Sequence, residues 1–247
     1  MNIGLYQSAS ALGALERWQD AVAQNITSSQ TTGFRKRTIN FSEQLSGELQ
    51  TDPKGRDGAA MSTVFPKVNT GVNFTSGETQ PTHRDYDVAI QGDGFFEVQM
   101  PDGTKAYTRS GEFSLRADRT LVTTGGQEVL SDGGGPIVLL PTGAPMMVNR
   151  DGSIVQGDTS LGKLAVQSFK DPSKLIPVAG GYFVAGAGAE ASPVEQPELM
   201  QGYLEGSNVA PLREMVDMVL ISRAYEANQK IITSFDQTME KTLDALG

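Results

Sequence analysis

A chain of 247 residues with 28 glycines and 12 prolines is long enough for one large or two modest domains, and it favours a β-rich fold with many tight turns. The net charge of −9 excludes an overall positive field, so we expect neither nucleic acid nor anionic lipid as a partner. The chain has no cysteine, which excludes disulfides, thiolate metal sites and cysteine nucleophiles.

The first predicted element is an amphipathic helix over roughly residues 3–29. Its apolar positions follow steps of seven, three, seven and four, which fits one helix face or a coiled-coil seam. These positions are Leu5, Leu12, Leu15, Val22 and Ile26. We interpret Trp18, the only tryptophan, as a packing anchor on this helix. The hydroxyl-rich run at 27–32 and Gly33 predict the helix end, and the basic run at 35–37 is interpreted as cations that suit the helix dipole.

The helix is followed by a polar segment and then by a strand-rich one. Turn signals at 52–58 interrupt residues 36–80, which predicts an extended β-hairpin arm. Residues 81–204 are predicted to form an all-β domain, with strands at 86–90 and 95–98 joined by a glycine turn at 91–94. Further glycine turns at short intervals are typical of a sandwich or a barrel-like domain.

The last predicted element is a long helix. Asn208 is interpreted as its N-cap and Pro211 as a residue of its first turn. Its seam positions alternate steps of four and three, with one polar asparagine among them. They are Ile221, Tyr225, Asn228, Ile232, Phe235, Met239, Thr242 and Leu246. A helix of about 35 residues would be roughly 50 Å long.

The predicted fold is therefore mixed and mainly β, with a discontinuous, coiled-coil-like helical domain from both termini at residues 1–35 and 205–247. An isolated helix with one apolar face is only marginally stable in water. Both helices extend beyond what the β domain could cover, so they should pair with each other, with neighbouring subunits, or with both. Head-to-tail repetition of such a contact gives a ring or a filament, which predicts an assembly protein.

Three strings resemble the signatures of bacterial flagellar basal-body rod proteins. They are residues 25–36 with their Thr-Thr-Gly-Phe-Arg-Lys end, residues 87–96 together with 107–113, and residues 204–209 together with 214–216 and 223–228. The resemblance implies paired terminal helices that line a hollow axial shaft, the rod, which transmits torque, with the β domain outside. It also implies that the subunit reaches the basal body through the flagellar type III export apparatus. The length and the residues 1–6 favour the proximal-rod member over the distal-rod member.

The N-terminus is consistent with that export route. Residues 1–20 lack the basic start and the uninterrupted apolar core of a cleavable signal peptide, so we expect export without a Sec-type signal. No run approaches the roughly 18 apolar residues that a membrane-spanning helix needs, so we expect no direct membrane insertion.

The expected partners are copies of this chain, neighbouring rod subunits and the export apparatus. The predicted assembly interface consists of Leu5, Leu12, Leu15, Trp18, Val22, Asn25, Ile26, Thr31, Thr32, Gly33, Phe34, Asn208, Val209, Met215, Val219, Tyr225, Asn228, Ile232, Phe235 and Met239.

We expect no enzyme activity, no cofactor and no metal. The single histidine, His83, shares a strand face with Asp85 but lacks the rest of a catalytic triad, and residues 151–158 lack the spacing of an EF-hand calcium loop. Two other classes of protein stay open from the residues alone. One is a surface β-type module that binds carbohydrate or acts as an adhesin, with helical oligomerisation ends, and the other is a hydrolase that uses pairs of acidic residues.

Overall fold

The computed structural model describes residues 3–49, 61–141 and 143–244. It is mainly β with one helix near each terminus, which confirms the predicted mixed, mainly β class. The described residues belong to two compact units. The turn signals at 52–58, the seam position Leu246 and the side chain of Leu5 lie outside the described part of the chain.

The first unit, called here the helical unit, comprises Met1–Thr27, Arg37–Val72 and Ala210–Gly247. It contains α1 (Ile3–Thr27), β1 (Arg37–Leu49), β2 (Met61–Val72) and α2 (Pro211–Asp244). Strands β1 and β2 pair antiparallel, from Arg37 opposite Val72 to Leu49 opposite Met61. Helix α1 contacts α2 and both strands. Neither helix is long and apolar enough within its described residues to cross a bilayer.

The structure corrects the predicted start of the second helix. Pro211 is its first residue, where a missing N–H costs nothing, so this part of the prediction is right. The prediction that Asn208 is the N-cap is wrong, because its side chain is bound elsewhere. Its Oδ1 accepts from the Lys36 N–H at 2.6 Å, and its Nδ2 donates to the carbonyls of Asn73 and Thr75 at 2.9 and 2.8 Å.

The second unit, called here the β unit, comprises Ser28–Lys36 and Asn73–Val209. Its strands are β3 (Thr79–Pro81), β4 (Val88–Gln91), β5 (Phe95–Gln99), β6 (Lys105–Thr108), β7 (Phe113–Leu115), β8 (Leu121–Thr123), β9 (Glu128–Val129), β10 (Met146–Val148), β11 (Ser153–Gln156), β12 (Thr159–Lys163), β13 (Val166–Phe169), β14 (Leu175–Val178), β15 (Tyr182–Ala185), β16 (Ala191–Pro193), β17 (Glu198–Gln201) and β18 (Tyr203–Glu205).

The largest sheet of the β unit has nine strands, seven of them in the order β14-β15-β6-β5-β9-β8-β7. Strand β13 joins this sheet by pairing with β5 and carries β16 on its other edge. Strands β10, β11 and β12 form a smaller antiparallel sheet, while β17 pairs with β4 and β18 pairs with β3. Both strands predicted around the turn at 91–94 are present, as β4 and β5, but they do not form a hairpin with each other. Strand β4 pairs with β17, and β5 pairs with β6, β9 and β13. The glycines of the turn between β4 and β5 have positive φ angles, which suit residues without a side chain. The core of the unit packs around Phe96 and Phe113, whose ring centroids are 5.1 Å apart.

Several turns of the β unit share one chemical device. Asp102, Asp118, Asp151 and Asp171, called here the turn aspartates, each accept a hydrogen bond from the backbone N–H two residues later, which belongs to a serine or threonine. Such Asx turns stabilise a tight change of chain direction. Hydrogen bonds from these following residues lower the pKa of all four carboxyls below the ordinary aspartate value.

Candidate assembly interface

One face of α2 is covered in the helical unit. Ile221 is fully buried, and Tyr225, Asn228 and Ile232, which follow at steps of four, three and four, are half-buried. On α1, Val22 is buried, and the predicted positions Leu12, Leu15, Trp18 and Ile26 are half-buried. This covered stripe of α2 contains the predicted seam from Ile221 to Ile232. Farther along, Phe235 and Met239 are 39% and 50% exposed, so coverage decreases toward the end of the helix.

A polar contact fixes the junction of α1, β1 and α2. The Asn25 side chain is 1% exposed; its Nδ2 donates to Glu214 Oε2 and to the Arg37 carbonyl, both at 2.9 Å. Its Oδ1 accepts from the Arg37 N–H at 2.8 Å. Glu214 is fully buried in the first turn of α2, where a carboxylate suits the positive end of the helix dipole. One amide side chain of α1 therefore satisfies three polar groups, two on β1 and one on α2.

Trp18 packs against β1. Its ring packs edge-on against Phe41 of β1, with ring centroids 5.6 Å apart. Edge-to-face aromatic pairs of this kind add about 0.5 to 1.5 kcal/mol beyond the area that they bury. This contact joins the C-terminal half of α1 to β1, the next element along the chain.

The opposite face of α2 is apolar and exposed. Five large apolar side chains recur there at helical spacing, and each is at least 50% exposed. They are Leu212, Met215, Val216, Val219 and Leu220, called here the outer face of α2. Two of the predicted interface residues, Met215 and Val219, lie on this face. A helix that is apolar on both sides is expected to be buried on both sides, and here one side has no cover among the described residues.

The β unit contains a buried ionic cluster to which each of the three sequence strings contributes one charged residue. Arg35 and Arg109 each contact one oxygen of Glu205 at 2.7 Å, and all three side chains are 2% exposed. The Gly77 N–H also donates to Glu205 at 2.7 Å. Arg109 further donates to the carbonyls of Gly92 and Gly94 in the β4–β5 turn. Burial lowers the pKa of Arg109, the Glu205 carboxylate opposes this, and the neighbouring Arg35 charge adds to the lowering.

The Thr-Thr-Gly-Phe string packs directly beside this cluster. The Thr32 hydroxyl shares a 2.8 Å hydrogen bond with the Ser110 hydroxyl, and the Gly33 N–H donates to the Glu205 carbonyl at 2.7 Å. Gly33 has a φ of 67°, and a Cβ at this position would lie 2.3 Å from the Ser110 backbone nitrogen. Only glycine therefore fits. Phe34 and Val209 are buried in the same unit, whereas Thr31 is exposed in the turn before them.

Sequence reasoning missed the partners of these polar groups. The interpretation of Arg35 as a helix-end cation is wrong, because α1 ends at Thr27 and Arg35 is buried against Glu205. Glu205, Arg109 and Glu214 were not predicted as interface residues. The available signal was their position inside the three strings, where a charged residue stands among glycines and apolar residues.

The chain was compared with known proteins. The family model described as flagellar hook protein FlgE/F/G D1 domain matches residues 89–158, and the model described as flagellar basal body rod FlgEFG protein C-terminal matches residues 200–245. The chain is 34% identical over 249 residues to the flagellar basal-body rod protein FlgF of Caulobacter vibrioides, with 100% of this chain and 99% of that protein covered.

A relative named FlgG and another named FlgF match with similar identity. The flagellar basal-body rod protein FlgG of Borreliella burgdorferi is 34% identical over 260 residues, with 95% of each chain covered. The FlgF protein of Mesorhizobium japonicum is 31% identical, with 100% of this chain and 99% of that protein covered. Identity above 30% over the full length, together with both family models, shows that the chain belongs to the flagellar basal-body rod protein family.

Proposed function

We propose that this chain is a structural subunit that polymerises through its paired N- and C-terminal helices into the hollow, torque-transmitting shaft of the basal body. Its proposed partners are copies of itself and neighbouring rod subunits. The observation that carries the proposal is the outer face of α2, which is apolar and exposed while the opposite side of the same helix is covered. A subunit whose helices line a tube needs apolar surface on both sides of each helix, one for its own partner helix and one for the next subunit.

The outer face of α2 is large enough to drive such a contact. Covering the exposed half of an apolar side chain contributes roughly 0.8 to 1.5 kcal/mol, so its five residues together contribute several kcal/mol to each contact. Each subunit in a head-to-tail array makes the contact on both sides, so a weak pairwise interface is repeated along the shaft. The exposed seam residues Phe235 and Met239 extend the available surface beyond that face.

The charge-insertion variant Val219→Asp tests the proposal. An aspartate there stays hydrated in the free subunit, because Val219 is 52% exposed, so the monomer should keep its helix content by circular dichroism. In the shaft the same carboxylate would be buried without a partner, so basal bodies isolated from cells that express the variant should lack the subunit, and the cells should not swim. The matched control is Gln229→Asp, which adds the same charge at another exposed residue of α2, ten positions beyond Val219 and outside the outer face.

Two outcomes would contradict the proposal. Normal amounts of the Val219→Asp chain in isolated basal bodies would show that the outer face is not an interface. Equal loss of both variants would show that added negative charge on α2, and not its position, prevents assembly.

The proposal includes the route to the rod and the position in it. Export through the flagellar type III apparatus is supported by membership of the rod protein family, and in cells that lack this apparatus the subunit should stay in the cytoplasm. A proximal position is supported by the length and by residues 1–6, and labelling of the assembled subunit in electron micrographs of basal bodies tests it. No enzymatic role is part of the proposal.

A further inference from the structure

A cleft in the β unit lies beside the buried ionic cluster. It has an empty volume of about 610 Å³, part of it open to solvent. Three phenylalanines, Phe74, Phe95 and Phe169, form apolar walls, and Phe95 packs edge-on against each of the other two with ring centroids 6.0 Å apart. Because these rings hold one another in place, the walls are formed before any ligand binds.

The charged groups that line the cleft have a positive excess. Arg35, Arg109 and Lys170 line it together with one acidic residue, the exposed Asp93, and the buried Glu205 pairs with both arginines. Three cations thus face two carboxylates. Both oxygens of Glu205 are already occupied, one by Arg35 and the Gly77 N–H and the other by Arg109. Positive charge therefore remains without a matching anion at the cleft.

Two cations of the cleft lining are not fully neutralised or hydrogen-bonded by the described residues. Arg35 Nε is buried and has no hydrogen-bond partner within the described residues, although its Nη1 is bound to Glu205 and to the Thr75 carbonyl. The guanidinium charge of Arg35 is therefore held in place beside the cleft, with part of its hydrogen-bonding capacity unused. Lys170 is exposed at the cleft and forms no ion pair with any residue that the structure describes. The hydroxyls of Ser76 and Ser168 add further hydrogen-bonding groups to the lining.

We propose that this cleft is a carboxylate-binding site, in which the Lys170 ammonium binds the anion, the Arg35 guanidinium in the lining adds positive charge, and the phenylalanine walls enclose the carbon chain that carries the carboxylate. Guanidinium and ammonium groups suit a carboxylate through charge-assisted hydrogen bonds. The carboxylate has two chemically equivalent sources: an acidic side chain of a neighbouring protein chain, or a small free carboxylate. The first source rests on the proposed assembly function, whereas the second does not.

The binding arm of the test uses the purified full-length chain. N-acetyl-aspartate methylamide is the probe, and its neutral isostere N-acetyl-asparagine methylamide is the control ligand. Two-dimensional NMR follows the Arg35 Nε–Hε signal and the backbone amides of residues 168–170. We expect saturable shifts with a Kd of about 1 to 10 mM for the acidic probe only, weakened by added salt. The same titration with acetate tests the free source.

Two matched variants locate the site. Lys170→Gln should weaken binding of the acidic probe at least threefold. Lys174→Gln removes the same charge outside the cleft lining, where Lys174 pairs with Asp171, and should leave binding unchanged. Absence of a saturable shift, equal binding of the neutral probe, or equal effects of the two variants would each overturn the proposal. Variant chains that keep their other NMR signals remain folded, so loss of binding is then specific.

A second arm distinguishes the two sources. Charge reversal by Lys170→Glu should reduce incorporation into basal bodies, relative to Lys174→Glu, if a neighbouring chain supplies the carboxylate. Normal incorporation together with probe binding assigns the site to a free carboxylate. Failure of the proposed polymerisation would appear separately, as normal assembly of the Val219→Asp chain, and would leave the NMR result intact.

Discussion

Replacing Asn25 by aspartate changes one side-chain group at the junction of α1, β1 and α2. Two donated hydrogen bonds are lost, one to the Glu214 carboxylate and one to the Arg37 carbonyl, each 2.9 Å long. A bond to a charged group contributes about 1.5 to 3 kcal/mol and a neutral one about 0.5 to 1.5, so the helical unit should lose about 2 to 4 kcal/mol. The introduced carboxylate also lies against Glu214, and like charges at this distance repel in a buried site.

The stability that the helical unit loses in the Asn25→Asp variant should depend on pH. The pKa of the introduced carboxyl should be raised above its value of about 4 in the unfolded chain, because the neighbouring carboxylate disfavours its ionisation. A group whose folded pKa is raised contributes stability that is fully present below the unfolded pKa and is lost as pH rises through the folded pKa. The deficit relative to the wild-type chain should therefore be complete at pH 7 and shrink as the pH falls toward 4. Asn25→Ala introduces no titratable group, so its deficit should not follow this pattern.

Amide hydrogen exchange of α1 is the assay, because it reports the free energy of opening of this helix separately from the β unit. Gln24→Glu is the matched control, since it adds the same charge at the exposed neighbouring residue. Equal protection of α1 in Asn25→Asp and Gln24→Glu, or a deficit that does not change between pH 7 and pH 4, would refute the reasoning.

Three further predictions concern the β unit. Glu205→Gln leaves two buried arginines without a counter-charge and should cost about 3 to 5 kcal/mol in urea unfolding, whereas the exposed Glu198→Gln should cost almost nothing. Gly33→Ala forces a Cβ onto the chain at Ser110 and should destabilise by more than about 1 kcal/mol, while Gly13→Ala, which has open space in α1, should stabilise by up to that amount. The lowered pKa values of the turn aspartates contribute stability above the unfolded pKa and lose it as pH falls through the folded pKa, so unfolding of the β unit should become easier below about pH 4. Replacing all four by asparagine should flatten that decline in a pH series of melts.

The helices and the strand-rich middle could be predicted because their signals are local. The apolar stripe of α1 and the steps of four and three in α2 need only the period of a helix. Turns such as the one at 91–94 follow from glycine and aspartate close together, although the pairing of the strands on either side of it does not. The predicted end of α1 within residues 27–32 agrees with its last residue, Thr27. Periodicity also shows which side of α2 contacts another helix, but it does not reveal a second apolar side.

The polar contacts could not be predicted because their partners are far apart along the chain. Arg35 and Glu205 are 170 residues apart, and Asn25 and Glu214 are 189 residues apart. A single sequence contains no signal for such a pairing. Asn208 illustrates the same difficulty. An asparagine shortly before a helix resembles an N-cap, yet its side chain binds three backbone groups far away along the chain, at residues 36, 73 and 75.

The buried polar and charged side chains lie close to the ends of both terminal helices along the chain. Arg35 follows α1, Glu205 precedes α2, and Glu214 and Asn25 stand in the terminal turns of the two helices. Buried ionic groups contribute little net stability compared with apolar side chains, but they are strongly destabilising when a partner is misplaced. They therefore penalise alternative packings more than they favour folding as such. We infer that these charges select one conformation of each unit, because a contact that repeats from subunit to subunit can propagate only if every copy presents the same surface.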